Sequence, residues 1–166
     1  VSATSEEFYT FRDIKEASLR FANELKKYFQ DGGEEVSTVA IILPNCIEYP
    51  IIVHAAMAIG IPVCSLRHDF QTDLLLSMLK DCNAKVLITD SIFVDKFKKI
   101  FDELPNVKVF VKSSNGSESF GTNLHSVLFS NGEMLDVEEA KKVRLSLVCF
   151  YNNARLNVGQ KITRKL

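Results

Sequence analysis

Residues 150–161, FYNNARLNVGQK, combine small polar side chains, one glycine and a lysine in the last part of the chain. They extend the apolar run 145–150, which is typical of a buried strand. A strand that passes into small polar residues, glycine and lysine is a common arrangement for binding phosphate, because backbone amides and a cation can both reach the anion. Asn152, Asn153 and Lys161 are therefore the candidate phosphate-binding residues.

Two familiar nucleotide loops are nevertheless absent from the sequence. Gly159 has no partner glycine five residues earlier, and Lys161 is not followed directly by the Ser or Thr that a Walker loop requires. The first predicted strand runs into Leu43-Pro44-Asn45, where a dinucleotide-binding fold would have its glycine-rich turn. The residues alone therefore indicate a soluble α/β domain without assigning it a nucleotide.

The three histidines offer no catalytic arrangement. His54 lies in an apolar helical pattern, where a packed or hydrogen-bonded structural role is expected. His68 lies in a polar turn, where a surface role is favoured and contact with a ligand is the alternative. His125 follows a polar loop without a base or nucleophile near it in sequence, and no serine lies on a recognisable nucleophile elbow.

The four cysteines are far apart in the sequence, with no C-x-x-C pair and no histidine at ligand spacing: Cys46, Cys64, Cys82 and Cys149. This pattern favours small buried apolar residues over a metal or redox site, and a reducing compartment.

The composition is that of one globular domain. Its 166 residues are 46% hydrophobic and 25% charged, with a formal net charge of -1. Without a basic block or stripe, no nucleic-acid partner is expected. The apolar runs are far shorter than the ~20 residues that span a bilayer, so no membrane span is expected.

The hydrophobic pattern predicts a first helix behind a capping box formed by Thr10 and Asp13. Gly32-Gly33 is expected to end this helix. Its apolar face recurs at steps of three and four residues. The members of that face are Phe11, Ile14, Ala17, Phe21, Leu25 and Tyr28.

Residues 36–43 then predict a strand, after which Asn45 is expected to cap a second helix with Glu48 at its third position. This helix is apolar on nearly all sides, so heavy burial is expected. Pro50 within its first turns predicts a local distortion, and Gly60 is expected to end it.

The same alternation continues to the end of the chain. Further strands are predicted at 61–66, 85–89, 107–111 and 145–151, and further helices at 72–82, 91–104 and 136–142, with a surface loop at 113–123. Such alternation predicts an α/β fold, a mostly parallel sheet with helices on both faces. The strand residues expected to be buried are Val39, Ile41, Leu43, Val63, Val86 and Ile88.

Four stretches together resemble the adenylate-forming (AMP-binding) enzymes, the superfamily of acyl-CoA synthetases, 4-coumarate:CoA ligases and luciferases. Residues 9–14, YTFRDI, resemble its "T-Y-x-E-L" opening, and 39–49, VAIILPNCIEY, its "V-A-I-L-L-P-N-S-x-E-F" strand and helix. Residues 56–63 and 79–89 are similar to the two segments that follow. The LPN-x-x-E block is the most specific of these, and it makes an unrelated α/β protein a poor alternative.

The resemblance also indicates what the candidate loop at residues 150–161 corresponds to in the family. In the family, the strand runs into "Y-S-S-G-T-T-G-x-P-K-G", which wraps the ATP phosphates. Here Asn152 and Asn153 stand in place of the two serines, residues 154–157 replace Gly-Thr-Thr-Gly, and Lys161 comes one position late. Alanine and asparagine approach phosphate and adopt positive φ less readily than glycine does. A degenerate phosphate loop is therefore expected.

For the whole chain, the resemblance implies a single truncated AMP-binding (N-terminal adenylation) domain over 1–166, an incomplete part of the enzyme domain, with a divergent tail at 152–166. The later family motifs would lie downstream. The parent reaction is ATP-dependent activation of a carboxylic acid to acyl-AMP, followed by thioester formation with coenzyme A, as in fatty acid metabolism. The isolated chain is expected to be inactive, and a non-catalytic binding or regulatory module is the alternative.

The cofactors that the resemblance implies are ATP with Mg²⁺ and coenzyme A, none of them bound tightly by this chain. The implied partner is a small-molecule carboxylate whose identity this part of the family does not specify. Self-association through exposed apolar surface is expected. Cytoplasmic placement is predicted, with the peroxisome as the alternative that the family suggests.

Overall fold

The computed structural model describes residues 9–29, 37–113 and 120–142, which form one five-stranded sheet flanked by helices. Its strands are β1 Thr38–Ile42, β2 Val63–Ser65, β3 Ala84–Asp90, β4 Lys108–Lys112 and β5 Thr122–Asn123. Its helices are α1 Phe11–Lys26, α2 Glu48–Ala58, α3 Thr72–Asp81, α4 Val94–Glu103, α5 Leu124–Leu128 and α6 Val137–Lys142, with a 3₁₀ turn, Ser91–Phe93, before α4. The predicted strand 145–151 lies outside the described residues. The prediction that Gly32-Gly33 ends the first helix is wrong, because α1 ends at Lys26 with Lys27 as its C-cap.

The described strands are all parallel and lie in the order β2-β1-β3-β4-β5. Helices α1, α2 and α5 contribute to the core on one face of the sheet, and α3 and α4 to the core on the other. The predicted α/β fold, a parallel sheet with helices on both faces, is confirmed.

Strand β1 shows why its sequence is apolar without alternation. Val39 and Ile41 face the core beside α1 and α2, whereas Ala40 and Ile42 face the core beside α3 and α4. Because both faces of a parallel sheet are covered, such a strand is apolar at consecutive positions instead of at alternate ones. All six strand residues predicted to be buried are buried: Val39, Ile41, Leu43, Val63, Val86 and Ile88.

Helix α1 begins at the predicted capping box. The Thr10 amide donates to Asp13 Oδ2 at 2.8 Å, and the Asp13 amide donates to Thr10 Oγ1 at 3.2 Å. Phe21 and Leu25 are fully buried on the predicted face. Phe11, which was also assigned to that face, is 93% exposed, because the first turn of the helix extends beyond the edge of the sheet's core.

Three predictions about helix α2 are wrong. It begins at Glu48 after Ile47, with no side-chain cap, so Asn45 is not the cap. Pro50 is the third helical residue, where a missing N–H breaks no intrahelical bond, and the helix continues to Ala58 without a break. His54 is exposed rather than packed. Gly60 has a φ of 71°, the left-handed conformation expected of a residue that ends a helix.

The predicted surface loop 113–123 contains one element that the sequence pattern did not indicate. Its last two residues form β5, and α5 begins directly after them, with Asn123 Oδ1 accepting from the Ser126 amide at 3.0 Å. Gly121 permits this close pairing, because a Cβ there would lie 2.9 Å from Val111 Cγ2. Across the parts of the chain that the structure describes, no helix is both long and apolar enough to cross a bilayer.

Candidate functional site at the carboxyl edge of the sheet

The order of the strands creates a crevice at the carboxyl edge of the sheet. The chain passes from β1 outward to β2, then crosses back over β1 to β3 and continues to β4 and β5. The connections that leave β1 and β3 therefore go to opposite sides. Ligands of open parallel sheets bind at such a switch point, beyond the carboxyl ends of the strands.

Three charged side chains meet at this crevice, and we call them the carboxyl-edge trio: Glu48, Asp90 and Lys112. Lys112 Nζ lies 3.9 Å from Glu48 Oε2 and 3.8 Å from Asp90 Oδ2. Only 8% of the Glu48 side chain and 11% of the Asp90 side chain are exposed, against 27% for Lys112. The lysine therefore neutralises two buried carboxylates in part, and the trio carries a net charge of -1.

Each member of the trio lies where a strand or helix begins or ends. Glu48 is the first residue of α2, Asp90 is the last residue of β3, and Lys112 is the last residue of β4. Asp90 uses its other oxygen, Oδ1, to accept from the Ile92 amide at 3.1 Å and so caps the 3₁₀ turn. The ion pairs of the trio therefore link the three connections that follow β1, β3 and β4 at the carboxyl edge.

The trio also affects its neighbour Cys46. Burial of the thiol, followed by the charge and hydrogen bond of Glu48, raises the pKa of Cys46 from 9.0 to about 11. Since the thiolate is the nucleophilic form of cysteine, Cys46 is a poor candidate for covalent catalysis. Glu48 Oε2 is buried and accepts no hydrogen bond from the residues that the structure describes.

A second polar group lies at the carboxyl end of β2, in the turn 67–70. Arg67 Nε donates to Asp69 Oδ1 at 3.0 Å, and this guanidinium lowers the pKa of the Asp69 carboxyl. Lys96 Nζ donates to the carbonyls of His68 and Phe70 at 2.6 and 3.0 Å. The His68 ring stacks on Phe93 with centroids 4.7 Å apart. These contacts support the predicted role of His68 as a surface turn residue.

The sequence-predicted phosphate-binding residues Asn152, Asn153 and Lys161 lie outside the described residues, so their arrangement stays a prediction. The trio was missed, although Glu48 belongs to the LPN-x-x-E block. The available signal was a charged residue directly after an apolar strand, as in Thr89-Asp90 and Val111-Lys112. Among the residues that the structure describes, no three His, Cys, Asp or Glu side chains are grouped so that they could hold a metal ion.

Comparison with known proteins identifies the family. The family model described as "AMP-binding enzyme" matches residues 1–150. The chain is 26% identical over 147 residues to a 4-coumarate–CoA ligase of Vanilla planifolia, covering 88% of this chain. It is 31% identical over 123 residues to an acetyl-coenzyme A synthetase of Bacillus subtilis, covering 74% of this chain.

Solved structures agree on the fold. A red-emitting luciferase from Phrixothrix hirtus superposes with a TM-score of 0.66 at 22% identity, covering 78% of this chain and 24% of the luciferase. A long-chain-fatty-acid–CoA ligase from Archaeoglobus fulgidus gives 0.61 at 22% identity, covering 80% and 25%. The chain spans 25% of the Vanilla ligase and 20% of the Bacillus synthetase. On the family match across residues 1–150, this chain belongs to the AMP-binding enzyme family.

Proposed function

We propose that this chain supplies the N-terminal portion of the adenylation domain of an acyl-CoA synthetase-like ligase. The observation that carries the proposal is the family match, which runs from residue 1 to residue 150 and ends where the candidate phosphate loop begins. Relatives named as 4-coumarate–CoA ligase, acetyl-coenzyme A synthetase and long-chain-fatty-acid–CoA ligase support the reaction class. Residues 1–166 then belong to one adenylation domain, in which the segment 152–166 departs from the family's pattern.

The reaction of the complete enzyme joins a carboxylic acid to AMP and then transfers the acyl group to coenzyme A. Bound ATP with Mg²⁺ supplies the adenylate and releases pyrophosphate. In that reaction this chain contributes the framework of the site. Its parallel sheet forms a ligand crevice at the carboxyl ends of β1 and β3. The trio keeps the connections that leave this edge in place.

We further propose that the isolated chain does not form acyl-adenylates. Release of pyrophosphate needs positioned amides, hydroxyls, a metal and a cation around the developing charge. Asn152, Asn153 and the segment 154–157 lack the serines, threonines and glycines that serve this purpose in the family's loop. Lys161 remains as a cation, but a single solvent-screened ion pair typically contributes about 1 kcal/mol or less.

A pyrophosphate-exchange assay tests this proposal, using chain 1–166 with Mg-ATP and a panel of fatty and aromatic acids. We expect no exchange above a protein-free blank for any acid. Exchange that is lost when Asn152, Asn153 and Lys161 are changed together to alanine would contradict the proposed inactivity. Exchange that persists in the triple variant would also contradict it, and would show that a different part of the chain holds the nucleotide.

A further inference from the structure

Strand β2 forms one edge of the sheet, and none of the strands that the structure describes lies on its outer side. On its inner side, the Pro62 carbonyl accepts from an amide of β1 at 3.0 Å, and the Leu66 amide donates to a carbonyl of β1 at 2.9 Å. Because backbone groups alternate along a strand, the N–H and C=O groups of Val63 and Ser65 point outward. Such a row of open backbone groups is a template for a further strand.

The connections between the strands restrict where a further strand can be added. The chain moves outward from β1 to β2 through α2, on the face that α1 and α5 share. It moves in the opposite direction, from β2 to β3 and on to β4, through α3 and α4 on the other face. Direction and face are thus coupled, as the right-handed rule for parallel crossovers requires.

The same rule applies to the connection that follows β5. This connection passes through α5, on the face of α1 and α2, so the next parallel strand is expected in the direction of β2. In that direction, β4, β3 and β1 are already paired on both sides. The vacant position is therefore the outer edge of β2.

Helix α6 lies on this face, at the end of the sheet where β2 begins. Its residue Ala140 packs against the core that α1 and α2 share. Glu139 forms an ion pair with Lys26, the last residue of α1, and lines one pocket together with Ile59 and Ile61. Since Ile61 comes two residues before β2, the chain leaves α6 close to the amino end of that strand.

We propose that residues 145–150, which lie outside the described residues, add to the outer edge of β2 as a further parallel strand. This apolar run begins three residues after Lys142, the last residue of α6, a gap that extended chain spans over about 10 Å. Starting near Ile61, the run passes along Val63 and Ser65 and pairs with their outward backbone groups. The docking does not depend on the adenylation reaction.

This docking determines where the candidate phosphate-binding residues emerge. A strand parallel to β2 leaves the sheet at its carboxyl edge, beside the turn 67–70 that follows β2. Asn152 and Asn153 come shortly after the run and therefore reach the same edge as the carboxyl-edge trio. The nearest cation in the turn is Arg67, whose side chain is 62% exposed. The edge of β2 thus positions the loop, whether or not the loop holds a nucleotide.

Amide hydrogen exchange of chain 1–166, followed residue by residue by NMR, tests the docking. We expect the outward amides of Val63 and Ser65 to be protected, since each donates to the added strand. Leu147→Pro and Val148→Pro are the test variants. Neighbouring residues of a strand point to opposite sides, so one of the two prolines removes a donor to β2. That variant should accelerate exchange at Val63 and Ser65 by about tenfold or more.

Val158→Pro is the matched control, because it lies beyond the proposed strand and should leave exchange unchanged. The amide of Ile88, in the central strand β3, shows whether the sheet stays folded. Three results would overturn the proposal: free exchange at Val63 and Ser65 in the unaltered chain, protection that survives both prolines, or acceleration at the amides of β5 instead.

A cross-link tests the direction of the strand and decides the matter if a proline variant unfolds. Arg67 lies just beyond the carboxyl end of β2 and His125 just beyond that of β5, and both are exposed. A short bismaleimide should join Cys149 to the thiol introduced by Arg67→Cys and not to the one introduced by His125→Cys. Peptide mapping identifies the linked residues. An equal or greater yield with His125→Cys, or no link with either variant, would overturn the proposal.

Discussion

Lys112 Nζ, at the end of β4, lies 3.9 Å from Glu48 Oε2, at the start of α2. This pair connects the central part of the sheet to the helix of the LPN-x-x-E block. At an effective dielectric constant of about 20, two unit charges at this separation attract each other by about 4 kcal/mol before desolvation is counted. The carboxylate is nearly buried, so the lysine is needed to compensate its charge.

Replacing Lys112 by methionine should therefore destabilise the fold. The change leaves Glu48 and Asp90 as two buried carboxylates without a cation, and we expect a loss of about 1–3 kcal/mol in the free energy of unfolding. Urea denaturation measures the loss. Lys98→Met is the matched control, since the Lys98 side chain is 71% exposed, and it should change stability by less than about 0.5 kcal/mol.

A double variant separates the charge from the packing. When Glu48→Gln is added to Lys112→Met, one of the uncompensated carboxylates is neutralised. The combined loss should then be smaller than the sum of the two single losses. Equal losses for Lys112→Met and Lys98→Met, or strictly additive effects, would show that the trio contributes nothing specific.

Two phenylalanines on α1 should respond in opposite ways to truncation. Phe21 is fully buried and meets the Phe110 ring edge-on, with centroids 5.2 Å apart. Phe21→Ala should destabilise the chain by about 3–5 kcal/mol, because it creates a cavity in the core. Phe11→Ala should cost less than about 0.5 kcal/mol, because that side chain is 93% exposed. Thermal unfolding followed by circular dichroism distinguishes them, and similar shifts would contradict the described burial.

The parallel α/β sheet could be predicted from the sequence, but the trio of charged side chains at its carboxyl edge could not. The alternation of strands with helical segments indicated a parallel sheet covered on both faces, and short apolar runs such as residues 39–42 agree with it. The contrast between Phe11 and Phe21 could not be read from helical spacing, because the spacing assigns both to one face and says nothing about where the core ends. The trio was missed because its three members lie far apart in sequence and meet only through the strand order β1-β3-β4.

The thiol of Cys46 should react with alkylating reagents only at high pH. Its pKa is raised to about 11, so the stability contributed by the neutral thiol is fully present below its unfolded pKa and is lost as pH rises through about 11. We expect the rate of alkylation in the folded chain to be half-maximal near pH 11, and in the denatured chain near about 8.5. Peptide mapping identifies the modified cysteine. A folded-state rate that is already maximal at pH 9 would be inconsistent with the described environment.

Exposed apolar side chains beside α1 and α6 should promote self-association. Phe11 is 93% exposed and Met134 is 48% exposed, and both line an open surface groove between these helices. We expect the chain to bind a hydrophobic dye and to form oligomers in light scattering. Changing both residues to serine should reduce both signals. A clean monomer that binds no dye and melts reversibly would argue against this expectation.

We expect this chain to combine the fold of the AMP-binding family with a degenerate phosphate loop. Calorimetric titration of chain 1–166 with Mg-ATP is the decisive measurement. Binding at 1 mM requires about 4 kcal/mol, which is more than the ~1 kcal/mol expected from a single solvent-screened ion pair between Lys161 and a phosphate. We expect no saturable heat up to millimolar nucleotide. Saturable binding that disappears when Asn152, Asn153 and Lys161 are changed to alanine would contradict it and make the loop a working nucleotide site.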